Sequence, residues 1–135
     1  TDVMVGFPFE TNEDFEKTLL FIENIGFSYL HVFTYSPKPL TMASKFKEQI
    51  SESDKKKRAE IMINLSEKLK KNYIKKFAGS NLDVIIEEKK GGSFTGTSDN
   101  YIKCIIENDN LQPGSLVKIR VNRIENSIAF GTVVK

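Results

Sequence analysis

The chain has 135 residues, 39% of them hydrophobic and 28% charged, with one cysteine and a formal net charge of +2. That length suits one domain or two small ones, and no apolar run approaches the length of a membrane span. The single Cys104 excludes an intrachain disulfide and any multi-cysteine metal site built from these residues alone.

The small net charge conceals an uneven distribution. Lys and Arg against Asp and Glu number four to seven over residues 1–50, nine to four over 51–78, and seven to seven over 79–135. The middle segment alone is +5, a basic stripe that points to a polyanionic partner more strongly than the overall pI does.

Residues 2–5 read as a short buried strand, ended by the Gly6-Phe7-Pro8 turn because Pro8 has no amide hydrogen for a ladder. "ETNEDFEKTLLFIENIGF" follows, with Phe15, Leu19, Ile22 and Ile25 at helical spacing. Thr11 and Asp14 have the spacing of a capping box, Glu13, Asp14 and Glu16 suit the positive end of the dipole, and Gly26 supplies a left-handed stop. "YLHVFTY" then returns to a strand, completing a βαβ unit of the kind that builds parallel sheets or barrels. One such unit cannot cover both faces of its strands, so its neighbours are expected upstream and the opening reads as the middle of a longer protein. Exposed edges predict self-association, refolding or fraying of the first 45 or so residues.

"SPKPLTMASKFKEQIS" reads as an irregular connection, and a long helix is predicted from Ser51 or Ser53 to about Phe77, with Gly79 as its stop. Met62, Leu65, Leu69, Tyr73 and Phe77 make its apolar stripe, while Lys68, Lys70, Lys71, Lys75 and Lys76 crowd the other faces. Repulsion among those lysines is tolerable in water and favourable beside phosphate. After Gly79 the period becomes two: "LDVIIEE", "NYIKCIIE", "SLVKIRVN" and "SIAFGTVV" are predicted strands, joined by turn-rich "KKGGSFTGTSD", "NDNLQPG" and "RIEN". Ile102, Cys104 and Ile106 share one face, as do Val117, Ile119 and Val121, with Lys118, Arg120 and Asn122 opposite. The spacing suits a small all-β sandwich or barrel, of a size that gains from packing against the helix.

"TDVMVGFPFET", "FIENIGFSYLHVFTYSPKPLT", a basic helix and "GTSDNYIKCII…GSLVKIRV" together resemble the C-terminal part of the tRNA-modifying radical S-adenosylmethionine methylthiotransferases, which end in a small RNA-binding barrel called TRAM. The resemblance implies an α/β plus all-β chain: residues 1–50 as the terminal βαβ portion of a partial radical S-adenosylmethionine (β/α) barrel, 51–78 as a basic connecting helix, and 79–135 as a small antiparallel, OB-like TRAM barrel that binds tRNA. "LHVFTYSP" looks most like the branch that methylthiolates carbon 2 of N6-threonylcarbamoyladenosine beside the anticodon. Branches acting on isopentenyladenosine or on a ribosomal protein remain open, as does a stand-alone RNA-binding module. Members of the family are cytoplasmic and use S-adenosylmethionine and two 4Fe-4S clusters, one held by a CxxxCxxC loop and one in a separate N-terminal domain. These residues contain neither ligand set, so the expectation is an excised C-terminal fragment, inactive by itself, with no metal ligands of its own.

In such barrels the working residues follow the strands. By the resemblance, Gly6, Pro8, Glu10, Tyr35 and Ser36 border S-adenosylmethionine and Lys38 meets the RNA. From spacing alone the first turn reads as an ordinary strand-to-helix connection with Glu10 near a helix N-terminus, and the resemblance reverses that preference. The family usually has Gly where Phe9 and Leu40 stand, which would change a close backbone approach, and Arg more often than Lys at position 38. His31 reads as a packed or hydrogen-bonded side chain and Cys104 as a buried thiol. On the barrel, Lys89, Lys90, Lys103, Lys118, Arg120 and Arg123 are candidate phosphate contacts, and Phe94 and Tyr101 offer flat faces for unpaired bases. The plainer alternative is a solvated surface with Tyr101 packed at the core rim.

Overall fold

The first strand, β1 (Asp2–Val5), alternates exposed and buried residues, and only Val3 and Val5 turn inward. It pairs in parallel with β2 (His31–Thr34), Asp2 opposite His31 and Val5 opposite Thr34, across the crossover helix α1 (Asn12–Ile25). The capping box forms: Thr11 Oγ1 accepts from the Asp14 amide and Asp14 Oδ2 accepts from the Thr11 amide, each at 3.1 Å. Such a cap is worth about 0.5–2 kcal/mol, and the Thr11 hydrogen bonds hold the Asp14 carboxyl below its ordinary range. Gly26 ends α1 in the left-handed conformation at φ 70°. Phe15 and Ile22 of α1 bury against Val3, Val5, Leu30, Met62 and Leu65. His31 is exposed and hydrogen-bonded to Asp2 at 3.3 Å.

The computed structural model describes residues 1–107 and 110–134, and clusters into two compact units, residues 1–70 and 71–135. The boundary falls within the long helix α2 (Glu52–Lys75), which Ser51 caps by accepting from the Asp54 amide at 3.1 Å. Among the described residues no helix is long and apolar enough to cross a membrane.

In the second unit, β3 (Asn81–Lys90), β4 (Ser93–Ser98), β5 (Lys103–Ile106), β6 (Leu116–Glu125) and β7 (Ile128–Val133) close into a barrel in the order β3-β4-β5-β7-β6. Its core includes Val84, Ile86, Ile102, Cys104, Ile106, Ile119 and Val121, with Ile74 of the last helical turn packed on it. Two expectations need correction. The "KKGGSFTGTSD" connection contains a strand, β4, which follows a turn at Gly91 and Gly92 and leads into the loop that begins at Asp99. Nor is the barrel wholly antiparallel, since β5 pairs with β7 in parallel. The second follows from the first: with β4 the ring has five strands, and a closed ring with an odd number of strands cannot alternate direction at every seam, so at least one pair must run parallel. The "NDNLQPG" connection lies partly outside the described residues, at Asn108 and Asp109.

Candidate cofactor-facing loops and nucleic-acid interface

Beyond β1 the chain turns at Phe7-Pro8-Phe9-Glu10, with the Glu10 amide donating to the Phe7 carbonyl at 3.0 Å. Pro8 occupies the second position and Phe9, at φ 68°, the third, a pattern that favours glycine there. Lys38-Pro39-Leu40-Thr41 repeats it: Thr41 donates to the Lys38 carbonyl at 3.3 Å and Leu40 has φ 70°. The preference for Gly at positions 9 and 40 therefore has a conformational cause in these turns. Phe9 recovers some packing against Phe46, with ring centroids 5.1 Å apart, whereas Leu40 is 96% exposed.

The Glu10 carboxylate is engaged within the chain. Its Oε2 accepts from the Gly6 amide at 2.7 Å and from Arg58, whose guanidinium also donates to the Glu10 carbonyl at 3.0 Å and to Asn12 Oδ1 at 2.9 Å. Glu10 thereby locks the turn onto α2. Gly6, at φ 75°, is buried under the Lys55 stem, and a Cβ there would lie 2.4 Å from Lys55 Cγ. Lys55 is 2% exposed; its ammonium donates to Glu52 at 2.8 Å and lies 5.5 Å from the centroid of the Tyr35 ring. Tyr35 is buried edge-on against Phe7, and its hydroxyl has no hydrogen-bond partner among the described residues. Pro8 is buried, while Ser36 and Lys38 are exposed beyond β2. The structure thus joins Gly6, Glu10 and Tyr35 through Lys55 and Arg58, two cations to which the sequence assigned no role.

On the barrel, the expectation for Phe94 is overturned. It is 3% exposed, sits in the core because β4 turns it inward, and carries Lys89 5.3 Å from its ring centroid. Tyr101 does the opposite of packing at a rim: it is 89% exposed. Ser98, Asp99, Asn100 and Tyr101 form the tight loop between β4 and β5, with the Tyr101 amide donating to the Ser98 carbonyl at 2.9 Å. Tyr101 sits at φ 63°, a left-handed position at which glycine is usual in loops of this kind. Ser98 Oγ, buried beneath, accepts from the Ile102 amide at 2.9 Å and holds the loop.

Several candidate cations are already paired. Lys103 bonds Glu87 at 3.0 Å, and Thr97 with Lys103 holds that carboxyl below its ordinary range. Lys118 pairs with Asp83 at 3.3 Å, and Arg123 pairs with Glu125 at 3.0 Å and stacks 4.0 Å from the Phe130 centroid. Lys90 and Arg120 are exposed, with no ion pair among the described residues. Cys104 is buried in the core, and desolvation pushes its thiol up to about 11. Among the described residues no group of three His, Cys, Asp or Glu could hold a metal ion.

The second unit is thus a small closed barrel with one aromatic side chain, Tyr101, displayed on a loop. A TRAM domain family model matches residues 75–134. The chain is 36% identical over 126 residues to the threonylcarbamoyladenosine tRNA methylthiotransferase MtaB of Bacillus subtilis (strain 168), covering 90% of this chain and 28% of that protein. It is 38% identical over 122 residues to the protein of the same name from Aquifex aeolicus (strain VF5), with 90% and 28% covered. It is 33% identical over 134 residues to the tRNA-2-methylthio-N(6)-dimethylallyladenosine synthase of Endomicrobium trichonymphae, with 99% and 32% covered. The chain carries a TRAM domain and is homologous to the tRNA methylthiotransferases, as its resemblance to that family implied. It spans roughly three tenths of the length of these relatives.

Proposed function

We propose that this chain is the tRNA-gripping, C-terminal part of an enzyme that methylthiolates carbon 2 of N6-threonylcarbamoyladenosine beside the anticodon. The observation that carries the grip is Tyr101, a large flat side chain held almost fully in solvent at a strained backbone position. Such strain persists where the surroundings over-determine it, and an exposed ring is suited to stack on an unpaired base. Lys90 and Arg120 supply cations for phosphates.

In this reading the Gly6 to Glu10 turn, Tyr35 and Ser36 form one wall of the S-adenosylmethionine site. The buried Tyr35 hydroxyl, without a hydrogen-bond partner among the described residues, supports a polar ligand there, since buried hydroxyls ordinarily find partners. Glu10 acts by holding the turn, its carboxylate being committed to Gly6 and Arg58. When bound, S-adenosylmethionine supplies the radical on reductive cleavage. The thiolates for the iron-sulfur clusters cannot come from one buried cysteine, so no step of that chemistry is assigned to these residues.

A second reading, modification of dimethylallyladenosine, is favoured by the relative that aligns over 99% of the chain. Nucleoside analysis of tRNA from cells lacking the gene separates the two: methylthio lost from threonylcarbamoyladenosine supports the first, from dimethylallyladenosine the second. Titration of the 135-residue chain with a tRNA transcript tests the grip. Log affinity should fall linearly with log salt, and Tyr101→Ala should weaken binding by about 1–3 kcal/mol without destabilising the fold. Binding indifferent to both changes would refute it.

A further inference from the structure

The hairpin between β6 and β7 turns through two residues, Asn126 at φ 48° and Ser127 at φ 62°. Both central residues of such a turn need positive φ, and glycine is the usual second residue. Ser127 therefore strains the backbone, and its hydroxyl is also buried with no hydrogen-bond partner among the described residues. Two costs fall on one residue.

Within the same unit, a groove of about 190 Å³ is lined by Lys71, Lys75, Ile124, Asn126 and Ser127. Lys71 and Lys75 stand one helical turn apart on α2, a spacing at which like charges repel, and neither forms an ion pair among the described residues. Glu125, the nearest carboxylate in sequence, is engaged by Arg123. The lining thus combines two uncompensated ammonium groups, an amide and a hydroxyl, with no acidic side chain.

We infer that this groove is a phosphate subsite, with Lys71 and Lys75 supplying charge and Asn126 and Ser127 supplying hydrogen bonds. Resting on the reading above, its occupant is a backbone phosphate of the bound RNA, at a place on the barrel separate from Tyr101. The subsite gives the strained serine a purpose, because glycine would relieve the turn but remove the donor.

The 135-residue chain tests this in two arms. In the first, inorganic phosphate is titrated against the isotopically labelled protein, and the Asn126 and Ser127 amide signals should shift saturably. In the second, a tRNA transcript is titrated over a salt series. Ser127→Gly should raise the melting midpoint yet weaken tRNA binding, and Lys71→Gln with Lys75→Gln should lower the slope of log affinity against log salt by about 1. A Ser127→Gly protein that binds tRNA as the parent does, or an unchanged slope in the double lysine variant, overturns the RNA phosphate as occupant. Phosphate shifts accompanied by that result would point to a free phosphate or nucleotide in its place. If the unaltered chain binds no tRNA at any salt, the tRNA-grip reading fails, and the phosphate arm alone decides the subsite: saturable shifts support it and their absence removes it.

Discussion

The two units of this chain solve the problem of a small core in different ways. Residues 1–70 spread an apolar cluster over two strands and two helices and then fasten a loop with buried charge, Glu10 against Arg58 and Lys55 over Gly6. The barrel puts its apolar side chains into one closed ring and uses backbone proximity in place of charge, with Gly96 and Gly131 admitting neighbouring carbonyls. Directional, hydrogen-bonded groups fix a loop in one conformation, which suits a wall beside a ligand. Ring closure removes sheet edges, which suits a platform whose outer face must stay soluble.

The largest effect should come from the charge lock. Glu10→Ala leaves the Arg58 guanidinium buried without its carboxylate and should cost about 3–5 kcal/mol. Hydrogen exchange would show protection lost around Val5 and Tyr35 and kept in the barrel, while a loss under about 1 kcal/mol would make the lock ornamental. Next comes Gly96→Ala, whose Cβ would lie 2.4 Å from the Ile85 carbonyl oxygen. With backbone as the obstacle, about 3 kcal/mol should be lost from the barrel in urea denaturation, and a near-neutral result would show that the β3–β4 seam yields. The smallest change has the opposite sign. Leu40→Gly releases about 1–2 kcal/mol of left-handed strain against about 0.5–1 kcal/mol of added chain entropy, so stability should rise by about 0.5–1 kcal/mol. Phe9→Gly should gain less, because it also loses the Phe46 contact. Equal or opposite responses of the two variants would count against a shared turn type.

Much of the fold was readable because it rests on local signals. The capping box at Thr11, the stop at Gly26 and the alternation around Cys104 all stand where spacing put them. Strand β4 was hidden because its inward positions are Phe94, Gly96 and Ser98, and two of these are too small or polar to register as hydrophobic alternation. The same small residues are what the close approach of β3 requires. Lys55 and Arg58 carry no local signal that sets them apart from the other cations of residues 51–78, although Lys55 lies seven residues before Met62 and so continues the apolar stripe by two turns. Their partners, Gly6, Glu10 and Tyr35, come from loops far away in sequence, beyond the reach of local spacing. Tyr101 was found as an aromatic, but its display depends on a backbone angle that no composition reveals.

The parallel seam between β5 and β7 also bears on how the barrel is reached from the unfolded chain. Neighbouring strands can zip together from their hairpins, β3 with β4 and β6 with β7, each closing a short loop. The seams between β3 and β6 and between β5 and β7 instead join segments with other strands between them, so these non-local contacts should form late and set the refolding rate. Until then the half-built ring presents two unpaired borders, and the interval before closure is when this unit is most open to mispairing with another chain.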